Sequence, residues 1–330
     1  MQIFKTPKID FLRWRWHAIA LSWIVILSGL GVIMTKGLPL GVEFSGGTIV
    51  ILQFDQPPPD SATVRSALER ALPGEGQNAV IQRYGVESQR QLMVRVPSVG
   101  QEAGAGLSQT ADRVVAALKS AGVGNFRVNG TEIVGPAVGA DLKQKGILAT
   151  VLSLGGILLY IAFRFQFSFA VGTVVATIHD LLVTLAFLAF FRYDLSLNVI
   201  AAILTVTGYS TNDTIVIFDR VRENLRSMRR DSLYNVVTLS VNQTMSRTVI
   251  TAGTALLSAL ALFFFGGEVL HGFAFTMIVG IITGTYSSVF IASAIAIIWQ
   301  GRAARSGTLA KASAETAAAR AGKPTRRRAS

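Results

Sequence analysis

Long apolar runs separated by short polar segments dominate the chain. The first run spans residues 18–34, and five more follow Lys145. These five are 147–163, 169–191, 195–218, 248–265 and 272–299. Because a helix of about 20 apolar residues is long enough to cross a bilayer, the pattern predicts an α-helical polytopic membrane protein with six transmembrane helices.

The segment between the first two runs has the alternating pattern of a soluble α+β domain. Its predicted elements follow the order strand, helix, strand, strand, helix, strand. The strands are 43–54, 78–84, 91–96 and 125–134, and the helices are 60–72 and 107–121. This is the order of the ferredoxin-like motif, in which two helices cover one face of a four-stranded antiparallel sheet.

The basic residues predict the orientation in the membrane. Lys and Arg collect before the first run, between the fourth and fifth runs and after the last, whereas Arg192 is the one basic residue in the short loops of the opposite side. Since cytoplasmic loops carry the excess of Lys and Arg, both termini are predicted to be cytoplasmic and the soluble domain periplasmic. A cleaved signal peptide is the alternative for the first run, but no Ala-x-Ala-like site follows it, which favours a retained helix.

These signals divide the chain into five parts. They are a cytoplasmic N-terminus 1–17, transmembrane helix one 18–36, the periplasmic domain 37–142, transmembrane helices two to six 143–300, and a basic tail 301–330. The tail is expected to be disordered because it has little apolar surface to bury. The segments KGLPLG and VGPAVGADLKQKG, at the two ends of the domain, are expected to act as hinges.

Composition supports the membrane assignment and excludes several classes of function. Hydrophobic residues make up 51% of the chain, and the mean hydropathy of +0.48 is too apolar for a soluble domain. The net charge of +12 lies mainly at the chain ends and in one loop, so topology explains it better than specific nucleic-acid binding. The chain has no cysteine, no GxxxxGK[ST] phosphate loop and no HExxH motif. We therefore predict neither an enzyme nor a cofactor or metal site.

Asp213 lies inside the fourth apolar run and is the first candidate functional residue. An ionised carboxylate at bilayer depth costs roughly 2.5–3.5 kcal/mol on insertion scales, so such a residue normally faces protein or water. A polar stripe at helical spacing runs beside it, and Gly208 would let another helix approach closely. The stripe comprises Thr205, Tyr209, Asn212 and Val216. We expect it to face inward, towards protein partners.

Three further polar residues could act together with Asp213. Arg247 begins the fifth run on the cytoplasmic side that Asp213 approaches, so an ion pair between them is allowed. A carboxylate beside an arginine can gain and lose a proton as the pairing changes, as a proton relay requires, or the two can form a static salt bridge. His179 and Asp180 lie near the middle of the third run, where a relay role and interhelical packing both remain open.

Several segments resemble a known family. They are GVEFSGGTIV, VGPAVGADL, IHDLLVTLAF, SVNQTMSRTVITAGTALL, GTYSSVFIAS and, most specifically, GYSTNDTIVIFDRVREN in the fourth run. In register from the first helix to the sixth, they are similar to the SecF branch of the bacterial SecD/SecF family, which belongs to the RND transporter superfamily. Two positions depart from the family pattern: Glu43, where Asp or Asn is usual, and Thr211, where Ile or Leu is expected.

The resemblance implies a function and a set of partners. Members of this branch pair with SecD, often together with YajC, beside the SecYEG channel in the inner membrane. They use proton flow to help a translocating preprotein emerge on the periplasmic side, and membrane lipids surround their helices. Asp213 and Arg247 occupy positions implicated in proton coupling in that family. The alternatives are an RND-type exporter of small amphiphiles, which usually has two large exterior domains, and a passive membrane scaffold.

Overall fold

The computed structural model describes residues 8–84, 89–97, 105–164 and 167–300, which are mostly helical. The α-helices are α1 (Arg15–Lys36), α2 (Val42–Ser45), α3 (Ser61–Ala71), α4 (Ala105–Ser120), α5 (Pro136–Arg164), α6 (Phe167–Phe191), α7 (Leu197–Ser227), α8 (Leu233–Phe265) and α9 (Glu268–Ser287). The strands are β1 (Gly47–Phe54), β2 (Val80–Tyr84), β3 (Gln91–Pro97) and β4 (Phe126–Val134). A π-helical turn, Ser288–Ala292, continues α9 into a last helical segment that ends at Gln300. The predicted tail 301–330 lies outside the described residues.

Five helical segments of the described residues are long and apolar enough to cross a membrane. They are Phe11–Lys36, Val138–Arg164, Phe167–Phe191, Leu233–Phe265 and Leu270–Gln300. The predicted fourth span, 195–218, falls almost entirely within α7, a continuous helix of 31 residues. Its Thr, Ser, Asn and Asp residues and its charged end make α7 more polar than the other five. Length and composition therefore support five spans, and the sixth remains a prediction.

Small residues let the central helices of the bundle pack closely. A Cβ added at Gly284 of α9 would lie 2.7 Å from the Cβ of Ser210 on α7, and one at Gly280 would collide with Val206. The backbones of α7 and α9 can therefore approach each other, as small residues allow in membrane helices. Apolar side chains of α6, α7, α8 and the π turn form one buried cluster elsewhere in the bundle.

The sheet has the strand order β2–β3–β1–β4, with every neighbouring pair antiparallel. Its elements follow the predicted chain order, β1–α3–β2–β3–α4–β4. Helices α3 and α4 cover one face, because Leu68 and Val114 share a buried cluster with Leu52 of β1 and Val94 of β3. The opposite face lines a cavity of about 470 Å³ against the loop between α6 and α7.

Several predicted boundaries differ in the structure, and three of them have a clear local cause. The first strand begins at Gly47 rather than Glu43, because Val42–Ser45 form a helical turn that ends at Gly46, whose φ is +68°. Helix α5 begins at Pro136, a residue suited to a first helical position, so residues 136–142 continue into the span and that predicted hinge is helical. Helix α8 begins well before Thr248, because the Ser232 side chain caps it by accepting from the Asn235 amide.

Candidate functional site

Asp213 lies near the middle of α7 and is almost fully buried, with 5% of its surface exposed. Hydroxyl groups from two other elements hold its carboxylate. Thr248 of α8 donates to Oδ1 at 3.1 Å, and Ser288, the first residue of the π turn, lies 3.5 Å from Oδ2. In the described part of the chain, no cation lies within ion-pair distance of this carboxylate.

Arg247 does not form the predicted ion pair with Asp213 in this structure. Thr248, the next residue, takes the contact, because successive residues of a helix point about 100° apart. The Arg247 side chain is exposed, although its charge is near enough to act on Asp213 electrostatically. Because α8 starts at Leu233, Arg247 also lies inside a helix rather than at its beginning. A direct contact between Asp213 and Arg247 remains a prediction.

His179 and Asp180 form a second buried polar site, where α6 meets α1, α7 and α9. They are 7% and 3% exposed. His179 Nδ1 lies 2.9 Å from Asp180 Oδ1, and Nε2 lies 2.7 Å from the Ser22 hydroxyl of α1. The other Asp180 oxygen accepts from Ser210 of α7 and, at 2.8 Å, from Ser287 of α9. The two residues therefore belong to a hydrogen-bonded network that joins four helices.

The order Ser22, His179, Asp180 is also that of a hydrolase triad. However, Ser22 is only 5% exposed, and its hydroxyl faces that of Tyr286 at 3.2 Å rather than an open cleft. Tyr286 in turn donates to the Ala18 carbonyl at 2.6 Å. Such an enclosed chain of hydroxyl, imidazole and carboxylate groups can hold and pass protons.

Two adjacent serines connect the two carboxylates. Ser287 contacts Asp180, and Ser288 lies beside Asp213. On the facing helix, Ser210 contacts Asp180 and precedes Asp213 by about one turn. The two buried sites thus meet at the junction of α9 with the π turn, a kind of irregularity that is frequent at functional sites.

The predicted polar stripe of α7 faces away from the rest of the chain. Thr205, Gly208 and Asn212 are exposed, and a Cβ added at Gly208 would meet no atom within 4 Å. Tyr209 is half-buried at the edge of the stripe, with its hydroxyl close to Thr251 of α8. Asn212 therefore does not join the buried network around Asp213. A polar face of small residues on a bundle helix is suited to contact with another helix.

Sequence reasoning missed the hydroxyl residues of both sites. These are Ser22, Ser210, Thr248, Tyr286, Ser287 and Ser288. Ser and Thr are common in membrane helices and often donate to their own backbone, so only the paired serines in an apolar run gave a weak signal. Among the described residues, no group of three His, Asp or Glu side chains could hold a metal ion, and the absence of a cofactor remains a prediction.

A separate set of contacts, which we call the clasp, fastens the α+β domain to the bundle. Arg95 of β3 donates to Asp194 Oδ2 at 2.9 Å and to the Leu40 carbonyl at 2.6 Å. Asp194 lies in the loop between α6 and α7, whose Leu195 forms two backbone hydrogen bonds with residues 39–41. Burial raises the pKa of Asp194 above its ordinary value, although the Arg95 guanidinium acts to lower it.

Comparison with known families covers most of the chain. Residues 113–302 match the family described as protein export membrane protein SecD/SecF, C-terminal. Residues 31–58 match the SecD/SecF GG motif. The first match contains both buried carboxylates, and the second contains Gly46 and Gly47, where the chain passes from α2 into β1.

Individual relatives extend over nearly the same length. The protein translocase subunit SecF of Pseudomonas aeruginosa is 42% identical over 297 residues, which are 89% of this chain and 92% of the relative. That of Escherichia coli O157:H7 is 37% identical over 288 residues, 87% of each chain. The crystal structure of SecDF, a translocon-associated membrane protein from Thermus thermophilus, matches with a TM-score of 0.79 and 34% identity over 91% of this chain, but this match covers only 40% of the SecDF chain. The chain therefore belongs to the SecD/SecF protein-export family.

Proposed function

We propose that this chain is an accessory subunit of Sec protein export that works with SecD and uses the proton motive force to promote preprotein translocation. Relatives named protein translocase subunit SecF support the export role. The proposal of proton coupling rests on the surroundings of Asp213. Its carboxylate is 5% exposed within the helical bundle and is held by neutral hydroxyl groups. In such surroundings a carboxylate can change its protonation when a nearby charge or water approaches.

The architecture that we propose has six spans in the inner membrane. Helix α7 is the sixth, since it packs against α6, α8 and α9 within the bundle. Both termini are cytoplasmic, and the α+β domain is periplasmic and ferredoxin-like. Its strand order, with α3 and α4 on one face, supports this fold.

The exposed stripe of α7 supports a membrane partner. Thr205, Gly208 and Asn212 are exposed together with Thr251 and Thr254 of α8, so a polar surface runs along two helices of the bundle. The SecDF chain is more than twice as long as the part that this chain matches. We propose that a separate SecD subunit takes the place of the rest of that chain beside this bundle. We assign this surface to SecD, with SecYEG, the preprotein and YajC as further partners outside it.

Asp213→Asn tests the proton coupling. Asn is nearly isosteric and still accepts the Thr248 hydrogen bond, but it cannot titrate. Insertion, abundance and SecD binding should stay near normal, whereas stimulation of export by the proton gradient should be abolished. The measurement is export into inverted membrane vesicles with and without a protonophore. Asp219→Asn is the matched control, because Asp219 lies on the same helix but is partly exposed and paired with Arg222.

A passive scaffold predicts the opposite result. Asp213→Asn would then lower abundance or assembly, and the surviving protein would still support export. Gradient-dependent export at the wild-type level by this variant would rule out the relay. Arg247→Met should resemble Asp213→Asn if the Arg247 charge controls the charge of that carboxylate.

A further inference from the structure

We infer that His179 and Asp180 form a second proton-binding site of the bundle, and that Ser287 and Ser288 couple its occupancy to that of Asp213. This inference rests on the proposed proton coupling and extends it to a pair of residues on another helix. The hydrogen bonds of the buried network fix how many protons it holds.

Tyr286 lies at one end of the network. Its hydroxyl has one proton, which it donates to the Ala18 carbonyl at 2.6 Å. The 3.2 Å contact between Tyr286 and Ser22 must then use the proton of Ser22. Since Ser22 has no second proton, its 2.7 Å contact with His179 requires a proton on Nε2 of the imidazole.

The contact between His179 and Asp180 then needs one more proton. Without it, an imidazole lone pair and a carboxylate oxygen would face each other at 2.9 Å and repel. The proton lies either on Nδ1, as an imidazolium beside a carboxylate, or on Asp180, as a carboxylic acid beside a neutral imidazole. Both forms hold one exchangeable proton and carry no net charge, which suits a site that is shielded from water.

Each of the two serines has one proton and two possible acceptors. Ser287 Oγ lies 2.8 Å from Asp180 Oδ2 and 3.2 Å from the carbonyl three residues earlier. Ser288 Oγ lies 3.0 Å from the corresponding carbonyl and 3.5 Å from Asp213 Oδ2. A hydrogen bond to a charged carboxylate is stronger than one to a carbonyl, so ionisation of either carboxylate draws its serine towards it.

Because Ser287 and Ser288 are neighbours in the chain, the acceptor that one hydroxyl takes affects the acceptor that the other takes. Ser288 begins the π turn. A shift of the backbone at this turn therefore moves both hydroxyl groups together. Within the described residues, the ionisable groups around the two carboxylates are His179 of α6, Tyr286 of α9, Tyr209 of α7 and Arg247 of α8. Helix α1 contributes the Ser22 hydroxyl.

Asp180→Asn tests the second site with little change in shape. The amide can donate to Nδ1 of His179 and accept from Ser210 and Ser287, so the network keeps its hydrogen bonds but cannot release the proton. Abundance and co-purification with SecD should match the wild type. Gradient-dependent export in inverted vesicles should fall to the level of protonophore-treated wild type, as expected for Asp213→Asn.

Ser287→Ala tests the coupling. It removes one hydrogen-bond donor to the Asp180 carboxylate, so the network is less stable once it has released its proton, and the pH of half-maximal gradient-dependent export should rise by about one unit. Ser287→Thr keeps the hydroxyl and should restore the profile. Thr276→Val is the matched control, because Thr276 is also buried on α9 but donates to the carbonyl of Gly272 in its own helix.

The outcomes separate this inference from the proposed function. If Asp213→Asn loses gradient dependence and Asp180→Asn keeps it, the second site is wrong and the proposed function stands. If both variants keep it, the proposed function fails and the inference fails with it. If Asp180→Asn lowers abundance, the pH profile of export by Ser287→Ala tests the inference instead. A Ser287→Ala profile that coincides with that of the Thr276→Val control would overturn the coupling.

Discussion

Arg95→Met should release the α+β domain from the helical bundle. The change removes one partner of an ion pair whose side chains are 7% and 22% exposed, together with the bond to the Leu40 carbonyl. Leaving a buried charge unpaired costs roughly 3–5 kcal/mol, and the partial exposure of Asp194 puts the expected cost at the low end, about 3 kcal/mol. Because about 1.4 kcal/mol is a factor of ten, the released form should become about 100-fold more populated.

Hydrogen exchange measures this release at the clasp itself. The amide of Gly41 donates to the Leu195 carbonyl, and the amide of Leu195 donates to the Pro39 carbonyl, so both are protected while the clasp is closed. Mass spectrometry of the full-length protein in lipid nanodiscs should show about 100-fold faster exchange at these two amides in Arg95→Met. Arg127→Met is the matched control, because Arg127 lies on the same sheet but is exposed and bonds to Gln53 of β1.

The faster amide exchange caused by Arg95→Met should be less pronounced at acidic pH. Burial raises the pKa of Asp194 above its ordinary value of 3.8 despite Arg95, so loss of Arg95 should raise it further. In the variant, the Asp194 carboxyl then holds its proton more tightly in the closed clasp than in the open form. The stability of the closed clasp therefore falls as the pH rises through this raised pKa. The cost of Arg95→Met should be small below that pKa, where Asp194 is neutral, and full at neutral pH. Wild-type exchange rates at neutral pH, or an equal acceleration at every pH, would refute the ion-pair account.

Three glycines of the bundle should respond differently to a larger side chain. Gly284→Ala brings a Cβ to 2.7 Å from that of Ser210, and overpacking typically costs about 1–3 kcal/mol, so the thermal unfolding midpoint in detergent should fall. Gly253→Ala is the control for the gain in helix propensity, because its added Cβ meets open space. Equal midpoints for Gly284→Ala and Gly253→Ala would contradict close packing of α7 on α9. The Leu side chain of Gly208→Leu also enters open space in this chain, so the unfolding midpoint should not change, whereas SecD should be lost on co-purification. Recovery of SecD at the wild-type yield would show that the stripe of α7 is not the interface.

The sequence by itself determined the class of protein and most of its elements. Apolar runs and strand alternation are local signals, since they reflect which side of each element meets lipid or core. They predicted every strand of the sheet and the order of strands and helices around it. The boundaries that differ lie where local signals compete: at Gly46, which ends a turn before β1; at Pro136, which begins α5; and at Ser232, which caps α8.

Only the tertiary structure decided which polar groups meet. The sequence singled out Asp213 and Arg247, yet Thr248, one residue along, contacts the carboxylate. Arg95 and Asp194 are 99 positions apart, and nothing in the intervening sequence pairs them. In a membrane helix a hydroxyl can bond to its own backbone anywhere, so its position along the chain does not reveal its partner. The partner depends on how each helix is rotated about its axis and how closely it approaches its neighbour. In this bundle, the small side of α9 at Gly280 and Gly284 sets that approach by admitting α7.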